Sequence, residues 1–336
     1  MSDRVLVSAS EEAFMLAVRE LQDALGPVSV ERLGPELGLM TADGLTIEEV
    51  AAHCESDPLV FVRHLATEVD RVRSHVGVAA ARAIHYAELP DIGPEIAVQA
   101  WASGMPTIGF GAAEAAQEIV AALRDEGFQP VRAGAAYTLS CALVGSDAIL
   151  GLNRRDAALC DWPGGKVRLG RTKEQVSRAE FKLEELFDIF DLRVPNGGKA
   201  LDLGAAPGGW TRILRQHGLT VWAVDPGDLD PSLADDRSIH HSRTTAGEFL
   251  RSTRVRFDLV VNDMRMEPKL SCRMMIDAAV RLNPGGLGVV TLKTGSRHVL
   301  ETVRSCLQML AGTFEIVHAR QLHHNRHEVT VVVRRR

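Results

Sequence analysis

In the C-terminal half of the chain, short apolar runs alternate with segments of helical spacing. The runs at residues 199–204, 220–225, 257–263, 286–293, 314–320 and 328–333 each have the length of a buried strand. Strands alternating with helices predict an α/β domain, a doubly wound sheet with helices on both faces. Ahead of the first run, Ala179, Leu183, Leu186 and Phe190 form one apolar helical stripe, and Arg178, Lys182 and Glu185 fall on another. Lys182 is therefore expected on the side that need not be buried.

The N-terminal half is patterned differently. It offers a strand at 5–7, a helix over 11–25, apolar patches near 28–30 and 37–40, a helix around 47–54 and an alternating run at 58–65 that reads as a strand. Residues 90–106, with Pro90, Gly93, Pro94, Gly104 and Pro106, read as a loop that divides this half. A helix over 112–126 ends at Gly127, and two β-rich stretches follow at 137–144 and 148–152. A connector rich in Gly, Pro and basic residues, 153–173, leads to the C-terminal half. The expected division is 1–85, 86–158 and a catalytic domain over 159–336.

A chain of 336 residues exceeds the usual single core, which agrees with that division. No apolar run reaches the roughly 18 residues of a membrane span. The first residues lack the basic and apolar regions of a signal peptide, so a cytoplasmic location is expected. Cys54, Cys141, Cys160, Cys272 and Cys306 are scattered and include no CxxC, which speaks against a disulfide framework or a zinc site. Charge changes the picture once the chain is split. Residues 1–150 hold nine arginines, no lysine and 22 acidic residues, net −13, whereas residues 151–336 hold 29 basic and 22 acidic residues, net +7. The basic half suits a polyanion; two differently solvated surfaces are the plainer alternative.

The most specific local signal runs from Lys199 to Thr211. A buried strand containing Asp202 enters a turn made of Gly204, Ala205, Ala206, Pro207, Gly208 and Gly209, and a helix opens at Trp210. Such loops at strand carboxyl ends bind ligands in open α/β sheets. The spacing is not GxGxxG, so a nicotinamide or flavin enzyme is disfavoured. The second strand ends at Asp225, about 20 residues after the glycine loop, where an acid can grip ribose hydroxyls. Taken alone, Asp225-Pro226-Gly227-Asp228 would read equally well as a plain turn.

Four polar residues complete the pattern: Lys182 on the helix before the first strand, Asp263 and Lys293 at strand carboxyl ends, and Glu328 opening the last strand. A hydroxyl is a poor nucleophile at neutral pH, and group transfer to one needs a base and close alignment. A lysine can serve if desolvation or a neighbouring cation lowers its pKa, and Lys182 beside Lys293 is expected to supply that cation. Each residue taken alone would read as half of a surface ion pair.

DLGAAPGGWT, together with SRAxxKLxE (Ser177 to Glu185), Asp263-Met264, Thr291-Leu-Lys293 and the last-strand Glu328, resembles the FtsJ-type ribose 2′-O-methyltransferases. The resemblance implies a Rossmann-like domain with a mostly parallel seven-stranded sheet and S-adenosyl-L-methionine as cofactor. It implies cofactor contacts from Asp202, Gly204 through Trp210, Asp225, Thr245 and Asp263, and a Lys182-Asp263-Lys293-Glu328 tetrad with Lys293 as base. For the N-terminal half it implies a ferredoxin-like α+β module over 1–85 and a THUMP-like RNA-binding module over 86–158. The substrate implied is RNA, foremost large-subunit (23S) rRNA or a pre-ribosomal particle, acted on by a monomer without metal. A tRNA or other structured RNA is the alternative substrate, and a non-catalytic RNA-binding or assembly protein the alternative class.

The chain departs from the pattern in places. Where the family offers an acid to the adenine amine, it has Ser242-Arg243-Thr244-Thr245, and a threonine accepts a hydrogen bond more weakly. His323, His324 and His327 are read as lying near the RNA path rather than holding a metal. Asn262-Asp263-Met264-Arg265 lacks the Pro-Pro-aromatic turn of amino-group methyltransferases, and Cys272 lies beyond the place of a C5-type nucleophile, so it is read as packing.

Overall fold

A computed structural model describes residues 3–87, 89, 93–170, 175–190 and 192–336. Pro90 and the last residues of the expected connector, 171–173, lie outside them. The chain forms two compact units, Met1–Val167 and Arg168–Arg336.

The first unit holds strands β1 (Arg4–Ser8), β2 (Ser29–Arg32), β3 (Leu37–Thr41), β4 (His64–Val72), β5 (Glu95–Ala102), β6 (Gln129–Val131), β7 (Tyr137–Val144) and β8 (Asp147–Arg154). Its helices are α1 (Phe14–Leu25), α2 (Ile47–Ser56), α3 (Val76–Tyr86) and α4 (Ala112–Asp125). Among the described residues the strands form one sheet in the order β2-β3-β1-β4-β8-β7-β5-β6. β4 is the link: it pairs with β1 through residues 64–67 and with β8 through residues 68–72.

Three expectations in this half need correction. The run at 58–65 is not a strand until His64. Residues 59–62 are buried, but the N–H groups of Val60 and Phe61 donate to the Glu20 carboxylate of α1 at 3.2 and 2.9 Å rather than to a ladder. The loop at 90–106 contains β5, and its Gly and Pro residues punctuate the ends of that strand. Residues 159–167, expected with the C-terminal domain, belong to the first unit. Gly164 and Gly165 sit where a Cβ would fall 2.7 Å from Trp101 and from Arg63, and the Ser8 hydroxyl donates to the Gly164 carbonyl at 2.8 Å. The helix expected over 112–126 is α4, and Gly127 after it has φ +88°.

The second unit holds α5 (Glu180–Phe190), β9 (Lys199–Leu203), α6 (Gly209–Gln216), β10 (Thr220–Val224), β11 (Ile239–Ser242), α7 (Ala246–Ser252), β12 (Phe257–Asn262), α8 (Pro268–Ala278), β13 (Leu282–Lys293), α9 (Val299–Ala311), β14 (Phe314–Arg320) and β15 (Glu328–Arg335). Among the described residues the sheet order is β11-β10-β9-β12-β13-β15-β14. The first five strands run parallel, and β15 is antiparallel to both β13 and β14. The apolar stripe of α5 packs through Leu183, Leu186 and Phe187 against Ala200, Leu259, Val261 and Val289. β11, Ile-His-His-Ser at a sheet edge, has no apolar run to announce it.

Reversal of the last strand matters for the site. Ligands of open α/β sheets bind outside the strand carboxyl ends. Because β15 is antiparallel, its first residue, Glu328, pairs in register with Lys293, the last residue of β13. An acid at an amino end therefore reaches the same edge. No helix among the described residues is long and apolar enough to cross a membrane.

Candidate active site

At that edge the four expected polar residues meet. The Lys182 ammonium lies 3.1 Å from Asp263 Oδ2 and 2.7 Å from Glu328 Oε2; the Lys293 ammonium lies 2.5 Å from Asp263 Oδ1 and 3.0 Å from Glu328 Oε1. Each cation is thus bonded to both carboxylates, and each carboxylate to both cations. All four side chains are mostly buried, so the contacts are poorly screened.

Burial works against the charge on Lys182, but Asp263 and Glu328 outweigh it and hold its ammonium above the usual lysine range. Burial likewise favours neutral Glu328, yet Lys182 and Lys293 prevail and keep its carboxyl below the usual range. Lys182 is therefore a standing cation rather than a candidate base.

Beside the tetrad lies a cavity of about 440 Å³, lined by Gly204, Ala206, Asp225, Thr245, Asp263 and Met264 among others. Ligand pockets span roughly 300–1,000 Å³. Gly204 has φ +75°, and a Cβ there would fall 2.2 Å from Met264 Cγ, which accounts for glycine at the strand end. Asp225 Oδ2 accepts the Ala206 N–H at 3.2 Å, and Oδ1 accepts the Gly227 N–H at 2.7 Å. The Asp225 carboxylate thus closes the turn and also stands at the cavity wall, oriented by these bonds with lone pairs remaining.

Several other residues expected to touch the cofactor are not among those lining this cavity. Trp210 is buried, and its indole N–H donates to the Ala179 carbonyl at 2.7 Å, anchoring the approach to α5. Gly208 and Gly209 do not line the cavity; a Cβ on Gly209 would meet Ser177 Oγ at 2.2 Å, so this glycine serves close packing. Ala205 and Pro207 shape the turn without lining it. Thr245 lines the cavity, but its hydroxyl caps α7, donating to Glu248 Oε2 at 2.7 Å and accepting the Glu248 N–H at 3.3 Å. Val224, Pro226, Ala246 and Arg265 line the cavity without having been singled out.

Asp202 is buried beneath the site, where Thr211 donates to it at 2.7 Å. Burial pushes its carboxyl up to about 7, the Thr211 bond opposes this, and the charge of Asp263 adds to it. The folded state thus binds a proton more tightly than the unfolded chain, whose carboxyl has the ordinary value of 3.8. This contribution to stability is full below pH 4 and is lost as pH rises through about 7. Asp202→Asn should therefore melt above wild type at pH 8, with the advantage vanishing towards pH 4. A thermal-melt series across pH checks this; a lower melting temperature at pH 8 would contradict it.

Helix α5 corrects a further expectation: on the stripe that need not be buried, Glu185 is fully buried and the Lys182 side chain mostly so, and Glu180 is buried as well. SRAxxKLxE includes Glu185 without giving it a role. Among the described residues no cluster of His, Cys, Asp and Glu could hold a metal ion. His324 faces Glu185 instead, with Nδ1 2.6 Å from its carboxylate. Cys272 is buried, as expected of packing.

Residues 175–335 match the FtsJ-like methyltransferase family. Ribosomal RNA large subunit methyltransferase M of Halorhodospira halophila is 42% identical over 177 residues, 52% of this chain and 51% of that protein. The protein of the same name from Alkalilimnicola ehrlichii is 34% identical over 219 residues, 63% of this chain and 60% of its own length. The chain thus spans about half the length of the curated relatives it matches. TrmN from Thermus thermophilus aligns over 99% of this chain and 100% of its own, at 18% identity and a TM-score of 0.40, too distant to inform function. S-adenosylmethionine is the cofactor of the FtsJ-like family. With its strand order, glycine turn and bridged Lys-Asp-Lys-Glu cluster, the C-terminal unit carries an FtsJ-like methyltransferase domain over residues 175–335.

Proposed function

We propose that the protein is a cytoplasmic, monomeric S-adenosylmethionine-dependent RNA ribose 2′-O-methyltransferase acting on large-subunit rRNA. The bridged tetrad beside the cavity carries this reading, and the relatives named as large-subunit methyltransferases support the choice of RNA. Arg265, Arg297 and Arg326 are exposed and lie within four residues of Asp263, Lys293 and Glu328, where cations suit flanking phosphates.

The cavity fits the cofactor in kind. Asp225 takes the ribose hydroxyls, and the turn at Gly204 and Ala206 lets backbone approach the rest. Bound S-adenosylmethionine supplies a methyl group activated on a sulfonium. The residues then divide the work. Lys293 accepts the proton of the 2′-hydroxyl and aligns its oxygen. Lys182 stays protonated, and since it touches both Asp263 and Glu328, neither carboxylate is left unpaired when Lys293 is neutral. The acidic N-terminal unit, read as a ferredoxin-like module over 1–85 and a THUMP-like module over 86–158, positions the RNA by shape and backbone contacts.

Asp225→Ala should weaken S-adenosylmethionine binding by about 1.5–3 kcal/mol in calorimetry, the worth of a hydrogen bond to a charged group. Unchanged affinity would move the cofactor elsewhere. Mapping ribose methylation in RNA from cells with and without the protein tests the substrate. Loss of a 2′-O-methyl group from large-subunit rRNA is expected; loss confined to tRNA would replace the substrate, and no loss would overturn the activity.

A further inference from the structure

Three tetrad residues sit at strand ends, where ladder pairing sets their spacing. Lys182 alone rides on a helix. Apolar packing tolerates small slides of a helix, whereas a reactive constellation must hold to within roughly 0.5 Å. Something polar has to fix α5.

Two buried carboxylates on α5 do so. Glu180 accepts the N–H groups of Val176 and Ser177 at 2.6 and 3.0 Å and pairs with Arg212 of α6 at 2.7 Å, tying the helix start to the cofactor turn. Glu185, three residues after Lys182, reaches the turn between β14 and β15. Its Oε1 accepts the His323 N–H at 2.5 Å; its Oε2 accepts the His324 N–H at 2.8 Å and lies 2.6 Å from His324 Nδ1. The His324 ring also stacks on Phe181, next to Lys182, with centroids 5.1 Å apart.

The clamped turn leads straight into Glu328. Within it, Asn325 Oδ1 accepts the Leu322 N–H at 3.0 Å and the Thr330 hydroxyl at 3.2 Å, and Asn325 Nδ2 lies 3.5 Å from Glu328 Oε2. One carboxylate therefore joins the helix that carries Lys182 to the turn that delivers its partner. A fully buried carboxylate is costly unless so satisfied.

We propose that Glu185 is a positioning residue for methyl transfer, clamping the turn before β15 to α5 and so holding Glu328 against Lys182. This rests on the reading of the tetrad as catalytic. Glu185→Gln keeps the shape but puts an amide donor where the turn presents N–H donors. In the full-length protein, cofactor affinity should stay at the wild-type value while single-turnover methyl transfer to RNA falls roughly ten- to a hundredfold, the effect of about 1 Å of misplacement.

The pH profile separates positioning from mere support. Glu328 is faced by Lys182 from α5 and Lys293 from β13, with Asp263 beyond β12 bound to the same ammoniums. Those lysines keep its carboxyl low. Loosening the turn releases that hold, so the acid limb of the rate profile should move to higher pH. His323, His324 and the nearby Glu184 are titratable groups around the clamp. His324→Phe keeps both backbone bonds and the stack on Phe181 while removing the ring contact and the histidine's own titration. It should move the limb the same way with a smaller rate loss, and it carries the test if Glu185→Gln does not fold. An acid limb at the wild-type position in His324→Phe, or in a folded Glu185→Gln whatever its rate, would overturn the proposal. Wild-type transfer by Glu328→Ala would instead overturn the catalytic reading of the tetrad.

Discussion

Lys293→Ala should fold and bind S-adenosylmethionine as the wild type does, while single-turnover methyl transfer to RNA falls by about 10² to 10⁴, the usual cost of removing a general base. The fold survives because Lys293 ends β13, and both carboxylates it touches keep Lys182 as a partner. Removing one member of a buried pair is severe when a charge is left alone, and here none is. Lost alignment of the hydroxyl can deepen the defect. Rapid-quench measurement with saturating cofactor checks the rate, and calorimetry the binding. A near wild-type rate would place the base elsewhere.

Asp263→Ala should be as damaging by a different route. It removes an acceptor from both ammoniums and leaves Glu328 alone between two cations. The lysines then repel one another and Lys293 loses its aim. Because these residues act as a unit, Lys293→Ala combined with Asp263→Ala should be little slower than either single variant. Multiplication of the two defects would show that they act separately. Asp263 also lines the cavity, so cofactor affinity must be measured alongside the rate.

Much of this site was legible before any coordinates, for a physical reason. Strand ends are where alternation of pattern stops, so Asp263, Lys293 and Glu328 were marked by the residues beside them. The direction of β15 was not legible; only pairing shows why an acid at an amino end joins the other three. Glu185 was misread because helical spacing separates apolar from polar stripes, and a buried carboxylate satisfied by main-chain N–H groups 138 and 139 residues away leaves no periodic trace. The motif marks Trp210 and Gly209 as well, but its letters do not reveal their packing against Ala179 and Ser177, just before α5.

In the first unit the pattern was less informative. The run at 58–65 is apolar because it is enclosed on both sides, and Glu20, not a neighbouring strand, takes its N–H groups. β5 was hidden by the Gly and Pro residues that bound it. Helix α3 had no sequence reading at all. Its Gly77 lets it approach α4 so closely that a Cβ would lie 2.7 Å from the Glu118 carbonyl, and small residues give weak periodicity.

Transfer of a methyl group to a ribose 2′-oxygen of RNA leaves a chemical signature. Its most direct test is incubation of the protein with ribosomal RNA and S-adenosylmethionine labelled in the methyl group, followed by complete alkaline hydrolysis. A 2′-O-methyl group blocks attack on the adjacent phosphodiester, so the account predicts label in an alkali-stable dinucleotide, absent with Lys293→Ala. Label recovered in mononucleotides, as a base-methylated product would give, would contradict it.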